Sequence, residues 1–139
     1  KYRISEAMEK ELKDFYSGYG KEAEGSHSIF QTYKETGYVL DPHTAVAKVV
    51  ADHYAYEQGR RDKCLVVSTV SPYKFSQTVL KALKEPVPKD VFEGIEALEK
   101  LWKEPIPAPV KEVEEGEIRH STVCSVEDME ATVSHFLLS

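Results

Sequence analysis

The sequence has only two cysteines in 139 residues, Cys64 and Cys124. Neither sits in a CxxC or His-paired spacing, which excludes a disulfide framework and a zinc site. Cys64, inside the apolar run Cys64-Leu65-Val66-Val67, is expected to be a buried small hydrophobe, and a reducing, cytoplasmic location is the simplest compartment. No apolar run approaches the roughly 20 residues of a bilayer span, so no membrane partner is expected. The N-terminal Lys1-Tyr2-Arg3-Ile4 lacks the apolar core of a signal peptide. It also lacks an initiator Met, so the chain is expected to begin inside a longer one. There is no basic stripe either: the formal net charge is −6, with both signs interleaved. That argues against binding to a phosphate backbone, and no nucleic-acid partner is expected.

What is present is ordinary globular material, 41% hydrophobic and 30% charged. The length fits one domain, which can bury roughly two thirds of the surface its unfolded chain exposes. Ser5 is a good N-cap for a first helix, with Glu6 and Glu9 favourably placed against the dipole. Met8, Leu12, Phe15, Tyr16 and Tyr19 recur at helical spacing until Gly18 and Gly20 stop the pattern. A second helix is expected over about 26–36, with Ile29, Phe30 and Tyr33 on one side and Gly37 as its left-handed stop.

Asp41-Pro42 is an N-cap followed by proline at the first helical position. The helix it opens, over about 42–56, is apolar on two faces, with Ala45 and Val49 in one row and Val46, Val50 and Tyr54 in another. Such a helix requires neighbours on two sides. The β-branched run over 63–68 reads as a strand covered on both faces, as in a parallel sheet. Pro72 opens a further helix with Phe75, Val79, Ala82 and Leu83 facing a core. Asp90 and Glu93 form a capping-box pattern for a helix carrying Phe92, Ile95, Leu98, Leu101 and Trp102. The proline-rich stretch 103–109 is expected to be extended, and 117–123 to be an edge strand or simply extended. Ser125 should cap a last helix with Val126, Met129, Val133, Phe136 and Leu137 as its buried stripe. The fold class expected from this inventory is α/β, mainly helical, with one or two strands. A lone strand makes no sheet, so its partners are expected in a larger parent.

Two stretches could carry chemistry on local physics. The first is Ser68-Thr69-Val70-Ser71-Pro72-Tyr73-Lys74-Phe75, which follows the carboxyl end of the expected strand and enters a helix. Ligands bind at that edge in open α/β sheets, yet a plain turn with Ser71 as N-cap accounts for the same residues. The second runs from Gly37 to Ala47 and places His43 in the first turn of a helix. A lone first-turn histidine serves as a catalyst or simply as a packed or solvated residue, and both readings stand.

Taken together, the two stretches resemble threonine synthases. GYVLDPHTAVA looks like that family's Thr-Gly-Tyr step into Asp-Pro-His-Thr-Ala-Val, and STVSPYKF looks like its Ser-Thr-Ala-x-Pro-x-Lys-Phe segment. The sequence departs at Val70, where the pattern has alanine. SEAMEKELKDFYSGY, EPIPAPV and RHSTVCSVEDMEATVSHFL extend the likeness over nearly the whole chain.

The resemblance implies a C-terminal segment, residues 1–139, of a fold-type II pyridoxal-phosphate enzyme related to the tryptophan synthase β subunit. The implied parent converts O-phosphohomoserine and water to threonine and phosphate. Thr69 matches the position whose hydroxyl faces the cofactor's pyridine nitrogen, and Asp41, His43, Thr44, Ser71 and Lys74 are implied near the active site. The Schiff-base lysine and the glycine-rich phosphate cradle match nothing here, so no catalytic residue and no metal ligand is assigned, and the fragment alone is expected to be inactive. Lys74 sits in the first turn of a helix and is not expected to replace that lysine. The implied partners are the N-terminal portion of the same enzyme and the substrate, with self-association of the fragment also expected. The rival reading is a stand-alone helical interaction module without catalysis.

Overall fold

The computed structural model describes residues 3–59 and 63–138; Lys1 and Tyr2 of the N-terminal stretch lie outside them. Among the described residues every element is helical, with no strand and no sheet. The α/β expectation, with strands joining a parent sheet, is therefore corrected to an all-helical fold. Residues 63–69 are irregular, with Leu65 89% and Val67 68% exposed. A β-branched run favours a strand only when a neighbouring strand completes its ladder. Nothing among the described residues does so. Cys64 is exposed with it, which corrects the expectation of a buried thiol. Residues 117–123 are not a strand either.

The chain divides into two compact units, one ending at Ile106 and one beginning at Pro107. In the first, α1 spans Glu6–Glu11, and the Met8 N–H donates to the Ser5 hydroxyl that caps it. A 3-10 turn, Leu12–Asp14, follows. No α1 residue is buried, and Met8, Leu12 and Phe15 are exposed rather than packed. The helical spacing there marks an apolar stripe that no neighbour among the described residues covers.

Helix α2 spans Glu22–Thr36 and starts earlier than its apolar side suggests. Glu24 supplies the signal, since its carboxylate accepts the Lys21 N–H at 2.7 Å, the return half of a capping box. Gly37, at φ 76°, ends it. Helix α3, Pro42–Glu57, packs along α2. Its first row, Ala45 and Val49, is buried. Its second row is only partly covered: Val46 and Val50 are half-buried and Tyr54 is exposed, its ring 4.8 Å from that of Tyr16 on the chain leaving the 3-10 turn. Gly18 and Gly20 let that backbone approach, because a Cβ on Gly18 would stand 2.9 Å from Val50 Cγ1 and one on Gly20 3.2 Å from Val49 Cγ1. These glycines end no helix, since the helical turns expected to run to Tyr19 stop at Asp14; they let two segments touch.

A 3-10 turn, Pro72–Phe75, leads into α4, Ser76–Ala82, which packs on α2 and on α5, Val91–Trp102. Asp90 caps α5 by accepting from the Phe92 and Glu93 N–H groups. Ile29, Val39, Leu40, Tyr73, Val79, Leu80, Ile95, Leu98 and Ile106 fill the core. Burial of a side chain such as Leu98 stabilises the fold by about 1.5–3 kcal/mol.

The second unit holds α6, Ala108–Glu115, and α7, Met129–Leu138. Helix α6 begins inside the stretch expected to be extended, because Pro109 occupies its first turn, where a missing N–H costs nothing. Ser125 caps a turn before α7, accepting the Asp128 N–H at 3.3 Å. Neither helix buries a residue. The expected stripe of Val126, Met129, Val133, Phe136 and Leu137 is exposed rather than buried.

Candidate functional site

The two stretches singled out from sequence meet. Asp41 ends the extended step after α2 and caps α3, and its side chain is fully buried at 0% exposure. One carboxylate oxygen, Oδ1, accepts the N–H groups of His43 at 2.9 Å and Thr44 at 3.2 Å. The other, Oδ2, accepts the Thr44 hydroxyl and, across 3.5 Å, that of Ser68. The Ser68 and Thr44 hydroxyl oxygens stand 3.2 Å apart. A buried carboxylate is tolerable only when its lone pairs are matched by donors, and here they are.

Burial pulls the Asp41 carboxyl up, but the opposing hydrogen bonds are stronger. Those from the Thr44 hydroxyl, the Thr44 and His43 N–H groups and the His43 side chain together hold it below the usual carboxylate range. Asp41 is therefore a permanent anion at neutral pH. Because it is fully occupied, it organises the site rather than meeting a ligand.

His43 projects from the first turn of α3 with its side chain 62% exposed and Nδ1 3.4 Å from Asp41 Oδ1. Its ring centroid lies 5.0 Å from that of Phe75, tilted 56°. This is a second bridge between the stretches. Ser71 caps the 3-10 turn, accepting the Tyr73 N–H at 3.3 Å, so its structural role is satisfied. Lys74 is exposed, its Nζ 5.8 Å from the Phe75 ring centroid. Thr69 is exposed immediately after Ser68.

Sequence reasoning missed Ser68 as an individual residue, although it opens the hydroxyl-rich stretch. Its neighbour Thr69 matched a family position, and only the folded chain shows Ser68 reaching Asp41. Among the described residues no group of three or more His, Cys, Asp and Glu side chains could hold a metal ion. No helix among the described residues is long and apolar enough to cross a membrane.

No family model matches the chain. It is similar to proteins named threonine synthase-like 1. Against those of Homo sapiens and Pongo abelii it is 40% identical over 84 residues, 60% of this chain and 11% of each relative. Against that of Macaca fascicularis it is 43% identical over 77 residues, 55% of this chain and 10% of the relative. These similarities point to a threonine synthase-related family, and the matched stretch is about a tenth of the relatives' length.

Proposed function

We propose that the chain is the C-terminal part of a threonine synthase, forming one wall of a pyridoxal-phosphate site and acting on O-phosphohomoserine only with the rest of the enzyme. The observation that carries this reading is the meeting of the 41–44 and 68–75 stretches at Asp41, Thr44 and Ser68. The similarity to threonine synthase-like 1 proteins supports it. A cytoplasmic location goes with this reading.

The donor set fits one edge of the cofactor. Asp41 is buried and fully bonded, so no carboxylate here is free to hold a pyridine nitrogen protonated. The exposed hydroxyl of Thr69, next in sequence to Ser68, is a neutral donor suited to an unprotonated ring nitrogen. When bound, the cofactor supplies the electron sink for proton removal from the substrate.

This chain's residues would orient that ring. Asp41 and Thr44 hold Ser68, Ser68 fixes the backbone from which Thr69 extends, and the His43–Phe75 contact holds the next turn. Lys74, placed over Phe75, keeps a charged or substrate-side role rather than a covalent one.

The test compares the isolated chain with the full-length protein. The isolated chain should show no cofactor absorbance and no borohydride-fixed adduct at Lys74. The full-length protein should release phosphate from O-phosphohomoserine. An adduct at Lys74, or a cofactor-loaded full-length protein that leaves the substrate intact, overturns the proposal. A helical interaction module without catalysis is the second reading, favoured by the exposure of Val133 at 55% and Leu138 at 88% on α7. A full-length protein that takes up no cofactor would decide for it.

A further inference from the structure

At the C-terminal end of α5, Lys103 adopts a left-handed conformation at φ 62° and its N–H closes on the Glu99 carbonyl. The chain therefore reverses immediately after Trp102. The Tyr73 hydroxyl donates to the Glu104 carbonyl, and the Ile106 N–H donates to the Glu99 carboxylate at 3.1 Å. Both bonds fix the backbone that carries Glu104 and leave its own carboxylate exposed to solvent.

Trp102 is held by two aromatic neighbours. Its ring lies 5.8 Å from that of the buried Tyr73 and 5.9 Å from that of Tyr38, the latter nearly perpendicular at 86°. Tyr38, Trp102 and Glu104, with Thr36 and Gly37, line an opening of about 480 Å³. A Cβ on Gly37 would meet nothing within 4 Å.

The chemistry of this corner is selective. Among the described residues that line it, Glu104 is the one that carries a formal charge. The Thr36 hydroxyl is already used, donating to the Thr32 carbonyl at 2.7 Å and accepting the Tyr38 N–H at 3.1 Å. A primary ammonium, strongly hydrated and needing three acceptors, would be poorly served. A cation whose charge is spread over methyl groups needs no acceptors. It is held by aromatic rings and a nearby carboxylate.

We propose that the corner of Tyr38, Trp102 and Glu104 binds the trimethylammonium group of a small quaternary amine. The two rings, packed edge to face, both line the opening, and Glu104, which lines it too, would supply the counter-charge. Tyr73 holds both Trp102 and the Glu104 backbone in place before the ligand arrives. The proposal stands independently of the threonine synthase reading, and failure of either leaves the other intact.

Trp102 is the one tryptophan of the sequence, so its fluorescence reports directly on the site. Choline titrated into the 139-residue chain should produce a saturable change with a dissociation constant on the order of 1 mM. The neutral isostere with carbon in place of nitrogen should produce none, and betaine, whose carboxylate opposes Glu104, should bind more weakly than choline. Tyr38→Ala should weaken choline binding by roughly 2- to 30-fold while Tyr38→Phe retains it. Glu104→Gln, at an exposed side chain, should weaken it without altering the circular dichroism spectrum, and decides the matter should Tyr38→Ala fail to fold. A response that does not saturate, that is equal for the neutral isostere, or that is unchanged in Glu104→Gln overturns the proposal.

Discussion

Asp41 and Thr44 are joined twice. The Thr44 N–H reaches one oxygen of the carboxylate at 3.2 Å, and the Thr44 hydroxyl reaches the other. The first bond caps α3; the second turns the carboxylate so that Ser68 can meet it. One residue thus starts the helix and ties it to the 68–75 stretch.

Asp41→Ala removes the cap and leaves buried N–H and hydroxyl donors unmatched. It should cost about 1–3 kcal/mol. Asp41→Asn keeps an acceptor for the cap and should cost less. Thermal unfolding of the two variants checks the order, and equal midpoints for Asp41→Ala and the parent would remove Asp41 from the framework.

The depressed ionisation of Asp41 ties stability to pH. A carboxyl whose folded-state pKa lies below its unfolded value stabilises fully above the unfolded value, near about 3.9, and loses that stabilisation as pH falls through the folded value. The stability difference between the parent and Asp41→Asn should therefore be constant near neutrality. It should narrow progressively once pH drops below about 4. Unfolding midpoints measured across that range test the sign, and a gap that widens toward acid would contradict it.

Gly18 is predicted to reject a side chain for reasons of space alone. Its backbone φ lies outside the left-handed region, yet a Cβ would sit 2.9 Å from Val50 Cγ1. Gly18→Ala should cost about 1–3 kcal/mol by overpacking. Val50→Ala in the same chain should recover part of that loss, giving a coupling energy of about 0.5–3 kcal/mol in a double-mutant cycle. Additive effects would mean that the close approach is not maintained.

Thr69 provides the functional test in the full-length protein. Thr69→Val keeps the branched shape and deletes the hydroxyl. Turnover should fall by roughly 5- to 150-fold, the effect of one lost hydrogen bond of about 1–3 kcal/mol. Thr69→Ser, which retains the donor, should keep most activity. Cofactor uptake should survive in both. If Val and Ser variants turn over like the parent, Thr69 is a turn residue only.

The sequence by itself determined several helix caps, though not where α1 ends or where α2, α6 and α7 begin. Ser5, Asp41 with Pro42, Ser71 and Asp90 are read correctly because a cap joins a side chain to an N–H two or three residues away, and Gly37 because a left-handed stop at φ 76° suits a residue without a Cβ. It also marked the two stretches that meet, since their residue types are unusual together. It did not show that Ser68 is the residue that reaches Asp41, a contact spanning 27 positions.

Apolar pattern alone proved insufficient wherever a partner was needed. The 63–68 run has strand propensity, and α1 and α7 carry helical stripes, yet their apolar side chains are mostly exposed. Propensity and periodicity state what a segment could bury; only a neighbouring element supplies the burial. Tertiary structure decided the rest: the close approach of Gly18 to Val50, the bonded carboxylate of Asp41, and the ring corner at Tyr38 and Trp102. Each depends on segments distant in sequence arriving at one place, which the local chemistry of any one segment cannot specify.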